Sequence, residues 1–224
     1  MPALPSPAVE ATSRRSSGAD AAEHVRRLIF EGRLKPGDRV PQDEVAEALS
    51  VSRIPVREAL IALEREGWVT IELNRGAFVN ALDADAIRDS YELFGLVYGF
   101  ATRCAMARSS DGEVVEQLVA IERALRDTDD LDRFQRLTIQ FHNTLVEAAR
   151  SPRIKVVLRA TTRLVTGNFF EHVPGSVEVE RKGVAAIVRA LRKGDAERAA
   201  QEYLTMLRQT GELVVRAFEA RGLL

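Results

Sequence analysis

Two arginines four residues apart, Arg53 and Arg57, lie in the stretch 51–67, VSRIPVREALIALEREG. At that spacing both guanidinium groups project from one side of a helix. Placed in a DNA groove, they can donate paired hydrogen bonds to base edges or meet phosphates. The competing reading is a solvated helix face, with Glu58, Glu64 and Glu66 balancing the charge. Other chemistry is sparse. There is no Gly-rich phosphate loop and no HExxH, and the three histidines are too scattered for a triad. Cys104 is alone, on an apolar helical face. It reads as an inert core thiol, which excludes an internal disulfide and fits a reducing cytoplasm. Arg159 and Arg163 are also four apart, and would either bind an acidic ligand or stay exposed. Nothing here supports catalysis, and no metal or other cofactor is expected.

The element that carries Arg53 and Arg57 has two faces. Val56, Ala59, Leu60 and Leu63 recur at helical spacing and form a buried stripe. Ser52 is placed as the N-cap and Pro55 falls in the first turn, so the Ser52 hydroxyl is expected to cap the amide of Ile54. Gly67 stops the helix. Upstream, 43–49 reads as a short helix with Val45, Ala46 and Leu49 inward, and 50–51 as a tight turn. Downstream, 68–73 is a β-rich run, 74–76 a turn, and 77–80 a second strand that pairs back. Helix, turn, helix and hairpin together make a winged helix-turn-helix. A first helix is expected at 21–32, with Val25, Leu28 and Ile29 inward, and a turn-rich connector at 34–40 around Pro36-Gly37.

The segment VSRIPVREALIALEREGWV, followed by NRGAFV, resembles the DNA-binding domain of GntR-type bacterial transcription regulators. The resemblance runs over about 21–80. The helical remainder resembles, through its length, helix count and a few short motifs, the effector domain of the FadR subgroup. In that family the connector runs beside the DNA backbone, which makes Arg39 and Lys35 phosphate candidates. The resemblance also implies a helix in the major groove, with Ser52 at its start, and a wing tip at Arg75 and Gly76 near the minor groove.

Length allows two domains, each able to bury a core. Net charge is −1, and over 21–80 acids slightly outnumber bases. DNA binding must therefore rest on local placement of arginines rather than on a broadly basic surface. The stretch 1–18 is rich in Pro, Ala and Ser and is expected to be a disordered arm, with Arg14 and Arg15 solvated. No apolar run approaches a membrane span, and no signal peptide is visible. After Asn80 the pattern is helical only. Helices are expected over 83–109, 111–126, 131–150, 152–170, 177–193 and 195–221, with no internal repeats. Short connections make these an antiparallel bundle, and bundles hold ligands between facing helices. The expected division is an arm at 1–19, a winged helix-turn-helix at 20–81, and an effector-binding and dimerisation domain at 82–224.

Many effector domains of the resembled subgroup bind a divalent ion through one aspartate and three histidines. In LTIQFHNTL, His142 matches the first histidine, but Thr138 stands at the aspartate position. The other two histidine positions fall near Val184 and Met206, in helices without histidine. One imidazole cannot hold such an ion. His142 is left as a hydrogen-bonded ligand contact or a satisfied core histidine. Where the family often carries an arginine and a glutamate, this chain has Phe94 and Tyr98. The expected cavity is lined by Phe94, Tyr98, Phe141 and His142, with Met206 and Arg163 as further lining. It suits an effector with an apolar or aromatic body and one polar end.

The resulting expectation is a cytoplasmic, ligand-responsive repressor that binds a pseudo-palindromic DNA operator as a homodimer. The alternatives are a helical small-molecule-binding protein or enzyme with a vestigial DNA-binding domain, and an adaptor that uses the winged helix for a protein partner.

Overall fold

The computed structural model describes residues 17–109, 112–160 and 169–224. The chain begins there with α1 (Ser17–Phe30), which buries Val25, Leu28 and Ile29. This helix starts four residues earlier than its apolar pattern suggests, and it takes in Ser17 and Gly18, which composition assigned to a disordered arm. Asp20 in the first turn favours the early start through the helix dipole. The rest of that arm, Arg14 and Arg15 included, lies outside the described residues. α2 (Gln42–Ala48) leads through a tight turn at Ser50, whose φ is 53°, into α3 (Arg53–Arg65). α3 buries the four-residue stripe Val56, Ala59, Leu60 and Leu63 against α1. Arg26 of α1 ties the two helices further, with its guanidinium 2.6 Å from Glu66.

The hairpin follows as β1 (Val69–Glu72) and β2 (Gly76–Val79), paired antiparallel with Val69 opposite Val79 and Glu72 opposite Gly76. The connector before α2 does more than turn. Val40 N–H donates to Ala77 O and Gly37 N–H to Val79 O, both at 2.8 Å. The connector thereby flanks β2, and Arg39 bridges Phe78. Trp68, Val69, Ala77 and Val79 close the core of this part.

Seven further helices are described. Asp83 caps α4 (Ala84–Arg108), its carboxylate accepting from Asp85 N–H at 2.9 Å. α5 (Glu113–Arg126) and α6 (Leu131–Ala148) follow, with Asp130 capping α6. α7 (Pro152–Ala160) and the four-residue α8 (Phe169–His172) stand where a single helix over 152–170 was expected, and the residues between them are not described. α9 (Ser176–Arg192) and α10 (Ala196–Glu219, capped by Asp195) complete the bundle. α10 packs along α4 and α9, while α6 packs on α4 and α5. Among the described residues, no helix is long and apolar enough to cross a membrane.

Candidate nucleic-acid interface and bundle site

The exposed face of α3 carries Ser52, Arg53, Ile54, Arg57, Glu58 and Ile61. Arg53 is already engaged. Its guanidinium faces the Asp43 carboxylate of α2 end-on, with contacts of 2.5 and 2.8 Å. Arg57 is exposed and, among the described residues, makes no ion pair. Ser52 is the N-cap, but its side chain makes no capping hydrogen bond, contrary to the expected bond to Ile54. A capping hydroxyl reaches the second or third helical amide, and Pro55 removes the third. The hydroxyl is left exposed at the mouth of the helix. Ile54 went unweighed in the sequence and is 68% exposed beside Arg53. An apolar residue lying off the buried stripe of α3 was the available signal, and such a side chain suits contact with a thymine methyl group.

The wing brings two candidates together. Gly76 has a φ of 112°, and a Cβ there would lie 2.7 Å from Arg39 Nε. Arg39 therefore lies across the wing glycine, in space that a larger residue at 76 would take. Arg75 pairs with Glu72, and its guanidinium stands 5.3 Å above the Phe78 ring. Lys35 is exposed at the connector.

Inside the bundle a cluster of polar and aromatic side chains spans four helices. His142 of α6 has Nδ1 3.1 Å from the Tyr203 hydroxyl of α10. Its Nε2 is 3.4 Å from Oε1 of Glu180 on α9. Tyr98 of α4 stacks on Tyr203 at 5.5 Å and 11°, and its ring centroid is 4.9 Å from His142. Phe141 closes the group, its ring 6.0 Å from His142. Burial, and then Tyr98 and Glu180, push the Tyr203 hydroxyl well above its ordinary range, so it stays protonated. Glu180 is 6% exposed and Thr138 8% exposed. Among the described residues, Glu180 Oε1, Thr138 Oγ1 and Ser176 Oγ are buried without a hydrogen-bond partner.

This arrangement modifies the expected lining. Tyr98, Phe141 and His142 do come together. Phe94 sits one turn before Tyr98, with its ring edge-on to Tyr91 at 5.8 Å. Met206 is buried against Gly183, where any Cβ would overlap its thioether, so it serves the packing of α9 on α10. Arg163 lies outside the described residues. Glu180 and Tyr203 were missed in the sequence. Glu180 falls one turn before Val184 on the buried stripe of α9, and an acid on an apolar stripe was its signal. The donor set does not fit the subgroup's ion. Thr138, Val184 and Met206 occupy three of the four positions, which leaves His142 with one carboxylate nearby.

Residues 18–79 match the family described as bacterial regulatory proteins, gntR family, and residues 89–209 match the FCD domain. An HTH-type transcriptional regulator of Mycobacterium tuberculosis is 34% identical over 147 residues, covering 66% of this chain and 60% of that protein. The chain thus spans 60% of the length of the first curated relatives it matches. The transcriptional repressor RspR of Escherichia coli is 32% identical over 198 residues, covering 80% of this chain and 82% of its own length. The solved structure of E. coli McbR/YncC superposes with a TM-score of 0.61 at 16% identity, covering 92% of this chain and 99% of that one, and shows the same fold. The winged helix-turn-helix, the helical bundle and these matches agree, and the chain belongs to the gntR family of bacterial regulatory proteins, as a DNA-binding transcription regulator with an FCD effector domain.

Proposed function

We propose that the chain is a cytoplasmic repressor that binds a pseudo-palindromic operator as a homodimer and releases it when a small organic effector enters the bundle. The observation that carries this is the exposed face of α3. Arg53, Ile54 and Arg57 share it, and the wing beside it presents Arg39, Arg75 and Gly76. A helix of this size fits the major groove with its N-terminal residues on base edges, while the wing residues meet phosphates or the adjacent minor groove. Two units follow from this reading, DNA binding over 20–81 and effector binding and pairing over 82–224.

One module gives little discrimination, so pairing is expected. The surface that suits it is an open apolar groove formed by Leu93, Leu96, Val97 and Phe100 of α4 with Ile154 and Val157 of α7. Leu93, Leu96 and Phe100 are about half exposed, and a two-fold axis would lay the same stripe of a second copy against them. The repressor sense is supported by the similarity to RspR, a transcriptional repressor. The bundle reading is supported by His142, Tyr98, Phe141 and Tyr203, which come together beside the unpartnered Oε1 of Glu180.

The test is to capture genomic DNA fragments on the purified protein and sequence them. A recurring inverted repeat, bound with strong salt dependence, is the expected result. Absence of any sequence preference, with no salt-dependent binding, would favour a small-molecule-binding protein with a vestigial DNA domain.

A further inference from the structure

We infer that the effector carries a cationic hydrogen-bond donor, an ammonium or amidinium on an apolar or aromatic body, and that Glu180 receives it. The inference rests on the reading above that the bundle takes a small organic effector. It adds the chemical class of that effector.

The argument starts from the cost of Glu180. A carboxyl group so deeply buried needs hydrogen-bond donors, because desolvation of an unsatisfied charged or polar group is expensive. Its Oε1 has none among the described residues. The His142 Nε2 atom is near, at 3.4 Å, but the approach lacks hydrogen-bond geometry. Thr138 Oγ1, one turn before His142 on α6, and Ser176 Oγ, one turn before Glu180 on α9, are unpartnered as well. Hydroxyl oxygens can accept, so the two helices that carry His142 and Glu180 each hold a further unpartnered acceptor one turn away.

The surroundings have the matching sign. Tyr98, Tyr203 and Phe141 present ring faces and edges around His142. Aromatic faces attract ammonium and guanidinium groups, most strongly where water is excluded. A ligand carboxylate would meet the opposite conditions. It would face the buried Glu180 carboxyl, and among the described residues no guanidinium is paired with this cluster. Arg181, the next residue in the chain, is committed elsewhere. Its guanidinium donates to Leu125 O at 3.2 Å and to Thr128 O, and it stands 5.3 Å over the Phe134 ring.

The test uses the full-length protein and a pair of probes matched in size, 2-phenylethylamine and 3-phenylpropionate. Each is titrated against the wild type and Glu180→Gln by calorimetry and thermal melting at neutral pH. The expected result is binding and a raised melting temperature with the amine alone. Glu180→Gln should weaken the amine by at least about tenfold, the size of a lost charged hydrogen bond, and abolish the discrimination between the probes. Circular dichroism checks that Glu180→Gln folds. Thr138→Val, which leaves the carboxyl in place, should weaken the amine less than Glu180→Gln. Preference for the acid would overturn the cationic class while leaving an effector-binding bundle intact. An amine that binds Glu180→Gln as well as the wild type would remove Glu180 from the role. No binding of either probe would overturn the inference together with the effector reading beneath it.

Discussion

Arg53 is held by Asp43 before any DNA arrives, and this makes Asp43→Asn an informative perturbation. The contact is close, at 2.5 Å, but both side chains are about two-thirds exposed, at 64% and 68%. An exposed pair of this kind contributes about 0–1 kcal/mol. A guanine edge or a phosphate offers Arg53 more, since a good bidentate base contact is worth about 1–3 kcal/mol of discrimination. Arg53 must therefore leave Asp43 to reach a base, or else carry an acid toward the phosphates, and both cost affinity. Asp43→Asn should tighten DNA binding by up to about 1 kcal/mol, roughly fivefold. Fluorescence anisotropy on a selected operator duplex and on a scrambled duplex, at several salt concentrations, measures this. A double-mutant cycle with Arg53→Ala separates the causes. The gain should vanish in the Arg53→Ala background. An equal gain in both backgrounds would mean that Asp43 repels phosphate directly. A loss on Asp43→Asn would mean that Asp43 orients Arg53 for recognition, and the reasoning above would be wrong.

Arg57→Ala should weaken operator binding by about 1–3 kcal/mol if the side chain reads a base; an equal loss on all sequences, with a salt slope flatter by about one unit, would assign it to phosphate. Phe100→Glu places a charge in the apolar groove of α4 and α7, and sedimentation should show a monomer at micromolar concentration with weakened operator binding. Alkaline pH should destabilise the fold. Burial raises the Tyr91 and Tyr203 hydroxyls above their ordinary value, so the native state keeps protons that the unfolded chain releases near pH 10 or so. Stability should then fall as pH rises beyond that point, and urea melts at increasing pH read the slope.

The parts of this molecule that were legible in the sequence are those with a local period. The stripe of α3 and the alternation of the hairpin each follow from side chains a few residues apart, and both elements form where expected. The connector was read only as a turn, because its backbone pairing with β2 has no side-chain signature and depends on residues some forty positions away. The early start of α1 had no apolar periodicity to announce it. The expected Ser52 bond to the Ile54 amide does not form, and Pro55 at the third helical position leaves the hydroxyl no other amide to cap. Glu180 was passed over because acids are usually solvated. Its burial becomes visible only once α9 is laid against α10 and faces His142.

An effector can change DNA affinity only by as much as its affinities for two arrangements of the protein differ. Some contact must therefore differ between those arrangements and connect the bundle to the DNA-binding part. Among the described residues, an aromatic cluster joins the two parts. Phe30, at the end of α1, is buried against His172 of α8 at 5.2 Å and Phe218 of α10 at 5.4 Å, with the Arg221 guanidinium 4.5 Å from its ring. Arg221 also donates to His172 O at 2.9 Å, and Leu82 N–H donates to Leu223 O at 3.2 Å. α8 reaches the other way as well. Phe170 packs edge-on to Phe134 at 4.6 Å, one turn before Thr138 on the helix that carries His142. α8 is a helix of only four residues, and it packs on α6 and α9 as well. If an effector displaces Phe134 or Thr138 on α6, the contacts through Phe170 and His172 lead from there to Phe30. α1 in turn packs on α3 and is tied to it by Arg26 and Glu66, so the same chain of contacts continues to the helix that carries Arg53 and Arg57.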